Sequence, residues 1–424
     1  MGDIIATPIV ILLGALLIAR RARALPDHAQ TPLALAFVAR VVSAFALVWL
    51  TKYFFGGGDM LWYHERGTML AALIFEQPQE YAMPTLRYML GARIDDPLYF
   101  LSGISTGRMA GMAAWMMVVF GGDALYASCV LLAILNLWSG TYLCEVFLRE
   151  LPRRYHKALV WLALLLPSMV FWTSGLLKES PAMIGLGIVL VSLSDLIHRE
   201  KGRRWLWMLP VGAWLIGGFK AYVLFPVLGG GALWWYADRS LRQTGTLAIF
   251  RKPASLLAAM ALGALGVWGL GKVFPRYALD NIINEAVFLQ DIGGRLQGGS
   301  SFGGGGDVTT AGLLTRLPLG VLTALFRPLP FDVHNAAVLL NAAEMMGIVA
   351  LWWRMLVVRP LRRTLHLITL NPFLLFSLAF VVLFAAAVGL TTTNMGTLSR
   401  YRVPMMPLYL MLLWVLGSRL PQQE

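Results

Sequence analysis

Charged side chains are scarce in this sequence, 13% of 424 residues, and acids are the scarcer sign, 22 Asp and Glu against 35 Lys and Arg. With 58% hydrophobic residues, a soluble chain of this size could not cover its apolar surface, whereas repeated runs of about 20 apolar residues are buried by lipid. A soluble class is therefore excluded. Cysteine is nearly absent: Cys129 and Cys144 fall in one expected helix, which excludes a disulfide framework. Alternating apolar and polar segments are missing, which excludes a transmembrane β-barrel. The first apolar run has its positive charges after it, in "IARRARA", so an uncleaved first helix is expected rather than a signal peptide.

Catalytic motifs are lacking as well. "HER" at His64 has no second histidine four residues on, and the other histidines (His28, His156, His198, His334, His366) are scattered, so no metal site is expected. "GGGGD" lacks the Gly-Lys-Ser/Thr of a nucleotide phosphate cradle, and no Ser-centred nucleophile elbow occurs. The net charge of +13 would suit nucleic acid, but the positions of the charges argue for a membrane instead.

What is present is a series of apolar runs. Window hydropathy predicts an all-α, polytopic helical bundle of about eleven spans, near residues 4–19, 32–50, 124–148, 158–173, 181–197, 205–218, 222–236, 254–271, 336–356, 372–391 and 403–416. Of the 35 Lys and Arg, 20 lie in short loops on one side of this threading. Those loops are expected in the cytoplasm, with the N-terminus outside and the C-terminus inside. A single membrane domain covers residues 1–424, with long outer loops at 51–123 and 273–335. Loops this long are usually functional. In the first, "LWYHERGTMLAALIF" and "TGRMAGMAAWMMVVF" read as interfacial helices. The second carries "QGGSSFGGGGDVTTAG", either a flexible cover for a substrate or a plain linker.

Polar residues gather at the outer face of this threading. Asp59 follows the second span, with Tyr63, His64, Glu65 and Arg66 on the next helix. Glu179 and Lys178 sit in a hairpin, where adjacent helical positions address different partners, and Pro181 suits a first turn that could hold an anion. Lys220 and Tyr222 mark a second hairpin, "GGFKAY", and Arg400 and Arg402 stand before the last span. Any one of these cations could simply reach for lipid headgroups. Lys178, Lys220, Arg400 and Arg402 together would suit a phosphate at the membrane surface. One pocket lined by Asp59, Lys178, Lys220 and Arg400 or Arg402 is the geometric expectation.

Several of these stretches carry a resemblance. "GGGDMLWYH", "LPSMVFWTSGLLKES", "ALFRPLPFDVHNAAVLLNAAE" and "NMGTLSRYRVPMMPLYLMLL" resemble segments of the GT-C superfamily of polytopic glycosyltransferases, of the bacterial surface-polysaccharide type. The sequence departs from the protein mannosyltransferase branch, which has a tandem acidic pair where "GGD" stands; "RIDDP" (Asp95, Asp96) lies far downstream. The resemblance implies a GT-C-like fold in a bacterial inner membrane. It implies transfer of a sugar from a polyprenyl-(di)phosphate donor to a glycan or protein acceptor, with inversion and without metal or cofactor. Asp59 would then be the base. Lys178, Lys220, Arg400 and Arg402, supported by Tyr222 and Asn394, would hold the phosphate. Tyr63, His64, Glu65, Glu179 and Arg327 would support the acceptor or the base. Rival readings are a polysaccharide polymerase or ligase, a lipid-linked sugar transporter, or an inert partner in an assembly complex.

Overall fold

Backbone amides and carbonyls within hydrocarbon must pair inside their own segment, and the apolar runs do so as helices. The computed structural model describes residues 2–91, 98, 101, 104–199, 202–244, 310–333, 336–392 and 394–419. Among these the chain is all-α, with eight helical stretches long and apolar enough to cross a membrane. It is a multi-pass membrane protein.

These eight differ from the eleven expected spans in three places. Residues 205–236 fall in one apolar helical stretch, Trp205–Arg242, with a 3-10 turn, Ala221–Val223, at "GGFKAY". That stretch has 38 residues. Residues 254–271 lie outside the described residues. Val403–Leu416 is helical and apolar but falls short of a full crossing.

The chain divides into two compact units, Met1–Lys220 and Ala221–Glu424. The first contains α1 (Gly2–Ala22), α2 (Gln30–Trp49), α3 (Asp59–Glu76), α4 (Pro78–Leu90), α5 (Ile104–Phe120), α6 (Leu125–Glu150), α7 (His156–Leu165), α8 (Pro167–Trp172), α9 (Glu179–His198) and α10 (Trp205–Lys220). The stretches expected as interfacial helices in the first long loop are helical, as α3 and α5, and they pack on one another. Helices α6 and α9 are buried on nearly all sides, whereas α1 and α2 expose Ile4, Leu12, Leu16, Val38 and Val42. Apolar residues all round suit a central helix, and the exposed ones suit lipid.

Close approach inside this unit uses glycine. A Cβ on Gly185 of α9 would lie 2.7 Å from the Gly212 carbonyl of α10, so the two backbones meet where neither has a side chain. Ser139 of α6 adds an interhelical bond, its hydroxyl donating to the Ile184 carbonyl at 2.8 Å. Asp3 of α1 accepts from the Tyr126 and Ala127 amides at 3.1 and 2.8 Å, so a carboxylate covers the positive end of α6.

At the opposite end of α6, a closed set of ion pairs ties four helices together. Arg21 of α1 meets Glu145 at 2.7 Å, Arg149 meets Asp195 of α9 at 2.7 Å, and Arg204 bonds both Glu145 and Asp195. His198 and Ser194 share Glu150.

The second unit contains α11 (Leu224–Thr244), α12 (Thr310–Phe326), α13 (Ala336–Val358), α14 (Leu361–Leu370), α15 (Pro372–Thr391), α16 (Met395–Tyr401) and α17 (Met406–Leu416). The Asn371 side chain caps α15 by accepting from the Phe373 and Leu374 amides. Phe376, Phe380 and Phe384 recur every four residues along α15 and form one aromatic column, and Trp234 of α11 packs on Phe376 at 5.2 Å. Four-residue spacing keeps these rings on one face.

Asp195→Asn is expected to destabilise the protein by about 3 kcal/mol, the low end for opening a buried pair because Arg149 and Arg204 keep Glu145. The control is Asp238→Asn, which breaks a 2.7 Å pair with a half-exposed arginine and should cost under ~0.5 kcal/mol. Thermal unfolding in detergent checks both, and equal losses would contradict the network's role.

Candidate functional site

The chain leaves α2 through a single π-helical turn, Leu50–Phe54, and then turns at three glycines. Gly56 and Gly58 have φ of 65° and 129°, which a side chain rarely adopts. Asp59 follows as the first residue of α3 and is exposed. One turn on, Tyr63 is buried, and the Lys178 ammonium lies 5.7 Å from its ring centroid. Asp59 and Tyr63 stand on one face of α3, whereas Glu65 is exposed and Arg66 stacks on Trp62 at 5.6 Å.

Lys178 ends a loop, 173–178, that separates α8 from α9. Residues 173–177 of this loop are buried, and so are Glu179 and Ser180. Non-helical backbone at such depth has to be satisfied by protein. Ser180 donates its hydroxyl to the Thr173 and Gly175 carbonyls, and the Asn136 amide donates to the Thr173 carbonyl at 3.1 Å. Arg40, from the interior of α2, donates to the Thr173 hydroxyl at 2.7 Å. Arg40 is 2% exposed, its Nε has no hydrogen-bond partner, and no carboxylate pairs with it among the described residues. Burying a guanidinium this way costs several kcal/mol, so the loop is held by a group the fold goes out of its way to keep.

Lys178 and Glu179 do address different partners. Lys178 donates to the Thr106 hydroxyl at 2.7 Å, and Glu179 pairs with Lys220 at 2.7 Å. Both members of the second pair are buried, 0% and 4% exposed, so the Lys220 charge is matched within the fold. The first turn of α9 offers less to an anion than expected. The Ser180 and Ala182 amides already donate to the Leu177 and Lys178 carbonyls, and Pro181 has no N–H. Arg108 of α5, 8% exposed, lies beside Gly91 and Gly218, with its Nε lacking a partner.

His64 pairs with the exposed Asp123 at 2.9 Å through Nε2, while its buried Nδ1 has no partner. Burial holds the imidazole pKa below its ordinary value, against the pull of Asp123. Charging the ring would place a second donor where no acceptor waits.

The remaining expected residues belong to the second unit. Arg402 is fully buried and donates to the Arg327 carbonyl, with Nε and Nη2 lacking partners. Arg327 itself forms a two-pronged pair with Asp332. Arg400 is half-buried beside Tyr401, and Tyr222 packs on Phe384 at 5.9 Å. Asn394 caps α16, accepting from the Gly396 and Thr397 amides at 2.9 and 3.2 Å. Asp95, Asp96 and the glycine-rich stretch of the second long loop, up to Thr309, lie outside the described residues.

Sequence reasoning passed over Arg40, Arg108, Thr173 and Asn136. Arg40 had a signal, since it is a lone charge within the apolar run "AFVARVVSAF". No family model matches the chain, and no curated protein or solved structure matches it.

Two outcomes are expected from this geometry. Maleimide labelling of a Ser174→Cys reporter should be slow in the parent and fast after Arg40→Met or Thr173→Val, against a silent background because Cys129 and Cys144 are buried. Unchanged labelling would show that Arg40 does not hold the loop. For His64, the unfolded chain binds the proton more readily than the folded one, so stability is full above about pH 6.5 and declines as pH falls toward the lowered pKa. His64→Gln should flatten that decline in a pH series of melting temperatures. A slope that persists in the variant would assign it to other groups.

Proposed function

We propose that the chain is a membrane glycosyltransferase that moves a sugar from a polyprenyl-phosphate or diphosphate donor to an acceptor on the extracytoplasmic side. The observation that carries this reading is the seating of Lys178 over Tyr63, one turn along the helix that Asp59 begins. A carboxylate and an ammonium thus address the same stretch of α3. In the proposed reaction Asp59 takes the proton from the acceptor hydroxyl, whose oxygen attacks the anomeric carbon and inverts it. The bond to the lipid phosphate breaks, and the electron pair leaves with that phosphate. A phosphate is already a good leaving group, so it needs positive charge more than a proton donor. Lys178 is the candidate for that role in the unit that holds Asp59. An open apolar groove on α2, lined by Val41, Val42, Phe45, Ala46, Trp49 and Leu50, offers a bed for the isoprenoid chain just before Asp59.

A second reading, movement of the lipid-linked sugar without reaction, draws on a different observation. The α7–α8 span is broken at Leu166 and followed by a buried loop, as in transporters whose interrupted helices line a substrate path.

Asp59→Asn, purified and reconstituted with a panel of polyprenyl-phosphate-linked sugars, should lose transfer by at least ~100-fold while keeping the parent's melting temperature. Parent-like turnover in the variant would remove Asp59 as the base. Products one sugar longer support single transfer, and ladders support polymerisation.

A further inference from the structure

The end of the first unit that carries the ion-pair network has a charge imbalance that the proposed reaction leaves unused. Among the described residues, its acids are Asp27, Glu145, Glu150 and Asp195. Glu145 and Asp195 are taken by Arg21, Arg149 and Arg204, and Glu150 is taken by His198 and Ser194. Asp27 accepts from Gln30. Arg153, Arg154, Lys157, Arg199 and Arg203 stand exposed around this neutralised core. The excess positive charge is therefore on the outside of the cap, where it meets the surroundings.

Two details turn a basic surface into a more specific one. Arg199 and Arg203, which flank the turn between α9 and α10, have φ of 54° and 44°. A left-handed backbone disfavours any residue with a Cβ by roughly 1 kcal/mol or more and is ordinarily assigned to glycine. Glycine is available next door at Gly202, yet Gly202 does not take the left-handed conformation and the two arginines do. Arg199 takes it as the C-cap of α9, an end that left-handed residues commonly close, whereas at Arg203 such an outlier persists where the side chain has a use. The second detail is a repeated spacing. Lys157 precedes Trp161 by four residues, and Arg203 precedes Trp207 by four, and both tryptophans are exposed, 44% and 61%. A cation one turn outside an exposed indole, at the end of an apolar span, matches the boundary between headgroups and acyl chains.

We infer that Arg153, Arg154, Lys157, Arg199 and Arg203 form a binding surface for the phosphate groups of anionic phospholipids, with Arg199 and Arg203 as its principal ligands. The occupant is a lipid and not a soluble anion, because the exposed Trp161, Leu206 and Trp207 continue the cationic surface into an apolar one. This surface is separate from the residues proposed for sugar transfer and stands or falls without them.

The full chain in nanodiscs of phosphatidylcholine alone, and of phosphatidylcholine with phosphatidylglycerol in equal parts, supplies the test. The melting temperature should be higher with phosphatidylglycerol, and the increment should shrink with added salt. Inorganic phosphate added to the phosphatidylcholine discs should not reproduce it. Replacing both arginines by glycine (Arg199→Gly with Arg203→Gly) should keep or raise the melting temperature in phosphatidylcholine, because the left-handed strain is relieved. The same variant should lose most of the phosphatidylglycerol increment, and the paired lysine variant (Arg199→Lys with Arg203→Lys) should retain it. A glycine variant that keeps the full increment would overturn the inference. So would one that melts lower in phosphatidylcholine, since the arginines would then serve the fold, and so would an equal increment from inorganic phosphate.

Discussion

A polar group inside an apolar bundle has no water to turn to, and the first unit is arranged around that constraint. Its loop 173–178 lies within the protein, so each exposed carbonyl there needs a donor from a side chain. Asn136 and Ser180 provide them for Thr173 and Gly175, and Arg40 holds the Thr173 hydroxyl. The same constraint pairs Glu179 with Lys220 and closes the ion network at the far end of α6. The net stabilisation of such buried pairs is small, but opening one strands a charge at a cost of about 3–5 kcal/mol. They therefore fix where the helices sit more than they add stability.

This arrangement engages the cations singled out from the sequence in different ways. Lys220 is matched by Glu179, and Arg402 already donates to a backbone carbonyl. Lys178 donates to the Thr106 hydroxyl and faces the Tyr63 ring. The proposed transfer rests on Lys178 because it stands over Tyr63, one turn along the helix that Asp59 begins. The exposed Asp59 and the buried Tyr63 share one helix face, so a carboxylate at that position stays wet while its helix remains anchored.

The helices themselves were legible because length and hydropathy alone force them, and the short basic loops marked the ends. The break at Leu166 and the burial of 173–178 were not legible. Proline at position 167 suggests a first turn as readily as a loop, and "TSGLLKES" has the composition of a surface turn. What buries it is a set of long-range bonds, Arg40 to Thr173 across 133 positions and Asn136 to the same residue across 37, which no local pattern announces. The separate partners of Lys178 and Glu179 followed from helical geometry. That Glu179 would choose Lys220 did not, because the pairing depends on how α9 lies against α10. Asn394 entered through its chemistry, while its position before Met395 also fits an N-cap, and that cap forms.

The claim on which the rest stands is that the loop joining α8 to α9 is held inside the protein and presents Lys178 from there. Amide hydrogen exchange of the reconstituted full chain, read by mass spectrometry over residues 173–180, tests it directly. Protection comparable to that of the buried helix α9 is the predicted result. Exchange as fast as in the exposed glycine turn at 56–58 would contradict it.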